Sequence, residues 1–222
     1  KRAIADKVVV LRRRLDAIVK QRDTQRKSRL KSGINSVSIV GYTNAGKSTL
    51  FNLLTKANVY AEDRLFATLQ TTSRHLFISA GNEIILSDTV GFIRDLPSKL
   101  VAAFRATLEE TIYANLLLQV VDVSHATYQR HLEDVNLVLK EIHADTIPQL
   151  IIYNKIDLTD DEEIRPQISY NAEQEPIAVY ISAKQNLGLD LLRQAIVEKL
   201  EFISQHNNNK QQDLIYEPWK DR

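Results

Sequence analysis

Gly41-Tyr42-Thr43-Asn44-Ala45-Gly46-Lys47-Ser48 constrains this chain more than any other stretch. It satisfies the pattern G-x-x-x-x-G-K-[ST] at every fixed position. Ile34 to Val40 alternates and then runs apolar, as a buried strand does, while Lys47 to Thr55 carries Leu50, Phe51, Leu53 and Leu54 and reads as a helix. Strand, glycine loop and helix in that order aim the backbone N–H groups of the loop, and the positive end of the helix, at a row of phosphate oxygens. Lys47 adds a point charge for the outer phosphates, and the Ser48 hydroxyl is placed to hold Mg²⁺. A glycine turn that only packs has no need of Lys47 followed by Ser48. The expected phosphate-contacting set is Gly41, Tyr42, Thr43, Asn44, Ala45, Gly46, Lys47, Ser48 and Thr49.

The rest of the chain is compatible with a nucleotide-handling domain. At 222 residues, 44% hydrophobic and 26% charged, it has the make-up of one soluble globular domain with an appendage. No apolar run approaches the roughly 20 residues that cross a bilayer, and no signal peptide opens it. Without cysteine it can form neither disulfides nor thiolate metal sites, so a cytoplasmic location is expected. It also lacks methionine, even at position 1, as expected of a piece of a longer protein. Charge is lopsided: residues 1–31 hold twelve Lys/Arg against three Asp, a local +9, so a net of +1 leaves the remainder at −8. A basic appendage on an acidic domain follows.

Three segments are expected: a basic helical segment over 1–32, a nucleotide-binding domain over 33–204 and a polar tail over 205–222. In the first, Ile4, Val8, Leu11, Leu15 and Ile18 step four, three, four, three, the seam of a coiled coil, before the basic run with Arg22, Arg26, Lys27 and Arg29. This is either the second arm of a helical hairpin or an RNA-contacting helix, and the two are compatible. Strands are expected at 34–40, 75–79, 83–87, 116–121, 150–153 and 176–181, with later helices over 99–113, 125–142 and 187–203. Strands alternating with helices, with one hairpin near the start, predict an α/β fold with a mostly parallel six-stranded sheet, whose ligands sit at the carboxyl ends of the strands. In the tail, Leu214, Ile215, Tyr216 and Trp219 could dock on a partner; the alternative is a mobile end.

Three further motifs fall at predicted strand ends. Asp88-Thr89-Val90-Gly91 offers a carboxylate that can reach Mg²⁺ through water and a Gly91 N–H that can meet a terminal phosphate and sense its loss. Asn154-Lys155-Ile156-Asp157 supplies base recognition. A guanine edge presents two adjacent donors that the single Asp157 carboxylate can accept, whereas adenine presents the wrong pattern. Asn154 can tie the base to the phosphate loop, and the Lys155 stem can lie along the ring. Ser182-Ala183-Lys184 can give a backbone N–H to guanine O6. Each motif alone could be a surface turn; the four in this order predict a guanine-nucleotide site, and Asp157 disfavours an ATPase.

These residues are the signature of translation-factor-type GTPases. More narrowly, Gly41 to Asn52 (GYTNAGKSTLFN), Tyr60 to Leu69 (YAEDRLFATL) and Leu86 to Glu110 (LSDTVGFIRDLPSKLVAAFRATLEE) resemble the HflX family of ribosome-associated GTPases, related to the Obg group. The resemblance covers nearly all of residues 1–204 and implies a P-loop GTPase domain preceded by a basic helix, with the family's N-terminal domain missing. It implies Mg²⁺ as cofactor, GTP and GDP as substrate and product, the large ribosomal subunit and its rRNA as partner, subunit splitting as purpose, and a monomeric state. Within Phe66-Ala67-Thr68, Thr68 aligns with the Mg²⁺-binding switch threonine of Obg-like proteins; Thr72 is the alternative. Lys47, Gly91 and Asn44 are the expected catalytic residues. Asn44 sits where related GTPases use an asparagine to help hold K⁺. Phe92 stands where many GTPases carry a water-orienting glutamine, so hydrolysis is expected to be slow without a partner.

Overall fold

The chain forms β1 (Asn35–Gly41), α1 (Lys47–Thr55), β2 (Thr72–Ser79), β3 (Asn82–Asp88), β4 (Leu116–Asp122), α2 (Tyr128–Glu141), β5 (Gln149–Asn154), β6 (Gln167–Tyr170), β7 (Pro176–Tyr180) and α3 (Leu189–Leu214), with one 3-10 turn at Ile156–Leu158. This computed structural model describes residues 33–56, 72–79, 81–89, 91, 111–161 and 164–214. Two compact units divide the chain, Lys1–Asn35 and Ser36–Arg222. The helix expected over 1–31, the segment with Phe66, Ala67 and Thr68, Phe92, and the chain from 215 onward lie outside the described residues. So does the helix expected over 99–113, apart from its helical last residues Thr111 and Ile112.

One sheet of seven strands runs in the order β2-β3-β1-β4-β5-β7-β6. The pairs β1–β4, β4–β5 and β5–β7 are parallel, and the two outer pairs, β2–β3 and β6–β7, are antiparallel. β4 reads Leu-Leu-Leu-Gln-Val-Val-Asp because it is covered on both faces. Successive side chains point to opposite faces. Leu116, Leu118 and Val120 therefore join a core with Leu50 and Phe51 of α1 and Leu192 and Ile196 of α3. Leu117 joins the second layer, with Val135, Val138 and Leu139 of α2. The polar Gln119 in this strand is satisfied by donating to the Leu132 carbonyl at 3.3 Å.

Register brings the strand ends into line. Gly41 pairs with Val120, Asp122 with Asn154, and Tyr153 with Tyr180, so the loops that leave β1, β4, β5 and β7 emerge along one edge. In the hairpin, Thr72 pairs with Asp88, at the end of β3.

The strand count and several boundaries differ from the sequence expectation, β2 among them, which begins at Thr72 rather than His75. The sheet has seven strands rather than six: β6 is a four-residue edge strand whose Ile168 and Tyr170 are too few to give a readable period. α2 starts at Tyr128 rather than His125, because Asp122 and Ser124 form a local side-chain turn before it. The backbone of α3 runs on to Leu214, past 203, since the polar stretch that follows contains neither Pro nor Gly to stop it.

Candidate nucleotide-binding site

The loop between β1 and α1 ends at Gly46, which caps α1 in the left-handed region (φ 98°). A Cβ on Gly46 would lie 2.3 Å from Asn154 Nδ2, so only glycine fits. α1 has no side-chain cap and no acidic residue in its first turn, so its positive dipole end is not offset from within the helix.

Lys47 is buried, 6% exposed, and its Nζ donates to the Tyr42 carbonyl at 2.8 Å. Burial pulls its pKa down from 10.5 to about 8, only partly opposed by the Asp88 charge. An anion in the loop would restore the cation's ordinary preference for its charged form. Asp88, fully buried at the end of β3, accepts from the Ser48 hydroxyl at 2.8 Å. Thr89 donates to the Ile39 carbonyl at 2.6 Å and so fastens this turn to β1. A Cβ on Gly91 would fall 2.8 Å from Thr43 Cγ2 and 3.0 Å from Lys47 Nζ, so the backbone of Gly91 lies directly against the loop and its lysine. Ser48 and Asp88 form a hard-oxygen pair of the kind Mg²⁺ takes when phosphates and water supply its other ligands.

Tyr42 also anchors the loop sideways. Its ring stacks on His131 of α2 at 4.1 Å and 8°, with His125 4.6 Å from His131. Desolvation, then the neighbouring His125, push the His131 pKa below its ordinary value despite Asp134 and Asp122. The neutral ring that results suits stacking.

On the other side, Asn154 is 2% exposed and does two things with one carboxamide. Its Nδ2 donates to the Ala45 carbonyl at 2.9 Å, and its Oδ1 accepts from the Ala183 N–H at 2.9 Å. Asp157 Oδ1 accepts from the buried Ser182 hydroxyl at 2.5 Å. Ser182 is itself set by a two-bond bridge with Leu187, at 3.1 and 3.0 Å. Lys155 turns through the left-handed region (φ 66°) and pairs with Asp122 at 2.8 Å. Lys184 is exposed beside them.

The structure thus gathers Gly41 to Thr49, Asp88, Gly91, Asn154, Lys155, Asp157, Ser182, Ala183 and Lys184 at one edge of the sheet. Thr72, the alternative switch threonine, is the first residue of β2 and pairs with Asp88 in the ladder. Two residues escaped the sequence reading: Asp122, although it ends an apolar strand as Asp88 does, and Thr89, hidden inside the D-x-x-G motif.

Fold and site together define a P-loop GTPase domain. The chain belongs to the 50S ribosome-binding GTPase family, whose model matches residues 36–155, more than half of it. It is 48% identical over 207 residues to the GTPase HflX of Escherichia coli (strain K12), covering 93% of this chain and 48% of that protein. It is also 48% identical over 200 residues to the GTPase HflX of Caldanaerobacter subterraneus, covering 90% of this chain and 45% of that protein. The chain spans about half the length of the curated relatives it matches. Among solved structures, a GTP-binding protein from the archaeon Sulfolobus solfataricus, in complex with GDP, is 30% identical with a TM-score of 0.59, covering 83% of this chain and 58% of that one.

The lowered Lys47 pKa has a consequence for binding. A bound polyphosphate raises that pKa, so above about pH 8 binding must first take up a proton. GDP affinity is expected to hold level to about pH 7.5 and to fall between about pH 8 and 9 by up to about tenfold per unit. Calorimetric titration across this range checks it; level affinity to pH 9 would contradict the role given to Lys47.

Proposed function

We propose that the chain binds GTP with Mg²⁺, hydrolyses it to GDP and phosphate, and uses the exchange as a switch on the large ribosomal subunit. The observation that carries the GTP reading is the Asn154 carboxamide, which joins the phosphate loop to the loop of Ser182-Ala183-Lys184 beside Asp157. Gly41 to Thr49 and Lys47 hold the phosphates. Ser48 and Thr68, with Asp88 acting through water, hold Mg²⁺, which when bound neutralises charge on the outer phosphate oxygens. Lys47 donates to a terminal oxygen, and the Gly91 N–H binds the terminal phosphate and loses its partner on hydrolysis. Asp157 accepts the paired guanine donors, the Ala183 N–H meets O6, and the Lys155 stem covers the ring. Phe66 and Ala67, next to Thr68 in sequence, belong to the nucleotide-contacting set that the family resemblance implies.

Attack by water is in line, and positioning with charge stabilisation does most of the work. Phe92 has no group with which to orient that water, so intrinsic turnover is slow and a partner surface completes the site. Asn44, exposed and left-handed at φ 60°, helps hold a K⁺ ion that offsets charge on the transferring phosphate. The ribosomal partner is supported by the family to which the chain belongs and by the basic segment 1–32, whose charges suit rRNA phosphates. Splitting of subunits by a cytoplasmic monomer is the role this implies. In a second reading, the GTP form is only a docking state and hydrolysis a slow timer; Phe92 favours it.

Base choice is tested by Asp157→Asn. The amide turns a donor toward the guanine donors, at a cost of about 1–3 kcal/mol or more. GTP binding should weaken roughly 10- to 100-fold while xanthosine triphosphate gains. Unchanged GTP binding would remove Asp157 from the base site. Single-turnover hydrolysis by the full-length protein, with and without large subunits and in K⁺ or Na⁺ at matched ionic strength, separates switch from timer. Stimulation by subunits, greater in K⁺, is expected; equal rates in all four conditions would contradict both the partner-completed site and the K⁺ role.

A further inference from the structure

Asp122 closes β4 beside the base loop, and no step proposed above uses it. Both of its carboxylate oxygens are engaged. Oδ2 lies 2.8 Å from Lys155 Nζ, while Oδ1 accepts from the Ser124 hydroxyl at 2.6 Å and the Ser124 N–H at 3.2 Å. The Ser124 bonds fix the plane of the carboxylate, so the oxygen facing Lys155 has one position. The strand ends do not need this ion pair to stay together. Asp122 is already in register with Asn154 in the β4–β5 ladder, and the Val123 N–H bonds the Asn154 carbonyl at 3.0 Å. The pair is also sheltered, with side chains 23% and 17% exposed, so water screens it less than a surface pair.

What the contact does fix is the path of the Lys155 side chain. A lysine stem free in solvent samples many rotamers, and ordering it when a ligand arrives opposes affinity. Its left-handed backbone starts the stem away from the line of β5, and Asp122 holds the far end.

We propose that Asp122 is a positioning residue of the base site: it pins the Lys155 ammonium so that the methylene stem is preset against the face of a guanine ring. The inference rests on the guanine-nucleotide reading above. It implies that Asp122 slows nucleotide release through Lys155 and not through the stability of the fold.

The test is a double-mutant cycle on release of a fluorescent GDP analogue, using wild type, Asp122→Asn, Lys155→Ala and the double variant. Asparagine keeps an oxygen for Ser124 but presents no anion to Lys155. Release from Asp122→Asn should be roughly tenfold faster, the scale of one charge-assisted hydrogen bond. The double variant should release no faster than Lys155→Ala alone, and the nucleotide-free proteins should melt together. Ser124→Ala, which keeps the charge and the backbone N–H bond but removes the orienting hydroxyl bond, should shift release in the same direction by less. Release from Asp122→Asn at the parental rate, or an Asp122→Asn effect that persists undiminished without Lys155, would overturn the positioning role alone. A wild type that holds the adenine analogue as well as the guanine one would overturn the base-site reading and this inference with it.

Discussion

One buried carboxamide, that of Asn154, joins the two halves of the site. It donates to the Ala45 carbonyl of the phosphate loop and accepts from the Ala183 N–H beside Asp157. The interaction needs a side chain with a donor at one corner and an acceptor at the other, in a fixed plane. Aspartate would set an oxygen against the Ala45 carbonyl, and leucine would leave a buried carbonyl and a buried N–H without this partner. The same amide occupies the space a Cβ on Gly46 would fill, so the glycine of the phosphate loop and the asparagine of the base loop are requirements of each other.

The sheet makes that contact possible. Parallel strands in step deliver the Gly41, Asp122, Asn154 and Ser182 loops to one edge, and the two-faced core behind them, through β4, holds their spacing. α1 begins without an acidic residue, and burial disfavours the charge on Lys47. Gly91 is pressed against both the loop and that lysine, with no room for a side chain.

Much of this was legible in the sequence because each motif is short, local and tied to a strand end. Apolar runs located the strands, and residue chemistry at their carboxyl ends named the roles. What stayed hidden was of two kinds. β6 and the far part of α3 carry no apolar period, so edge pairing and the absence of a helix breaker decided them. Asp122 and Thr89 act through contacts with Lys155 and Ile39, residues remote in sequence, and their partners become visible only when β3, β1, β4 and β5 lie side by side. Thr72 is the first residue of β2 and stands opposite Asp88 in the ladder, while Thr68 lies outside the described residues.

Recognition of phosphate and base together, by one site built for guanine, is the proposal on which every role given above depends. Calorimetric titration of the protein with GDP and with ADP, in Mg²⁺ at one ionic strength, tests it most directly. GDP should bind saturably with one site per chain, and ADP more weakly by at least about a hundredfold. Comparable affinities for the two nucleotides would contradict it.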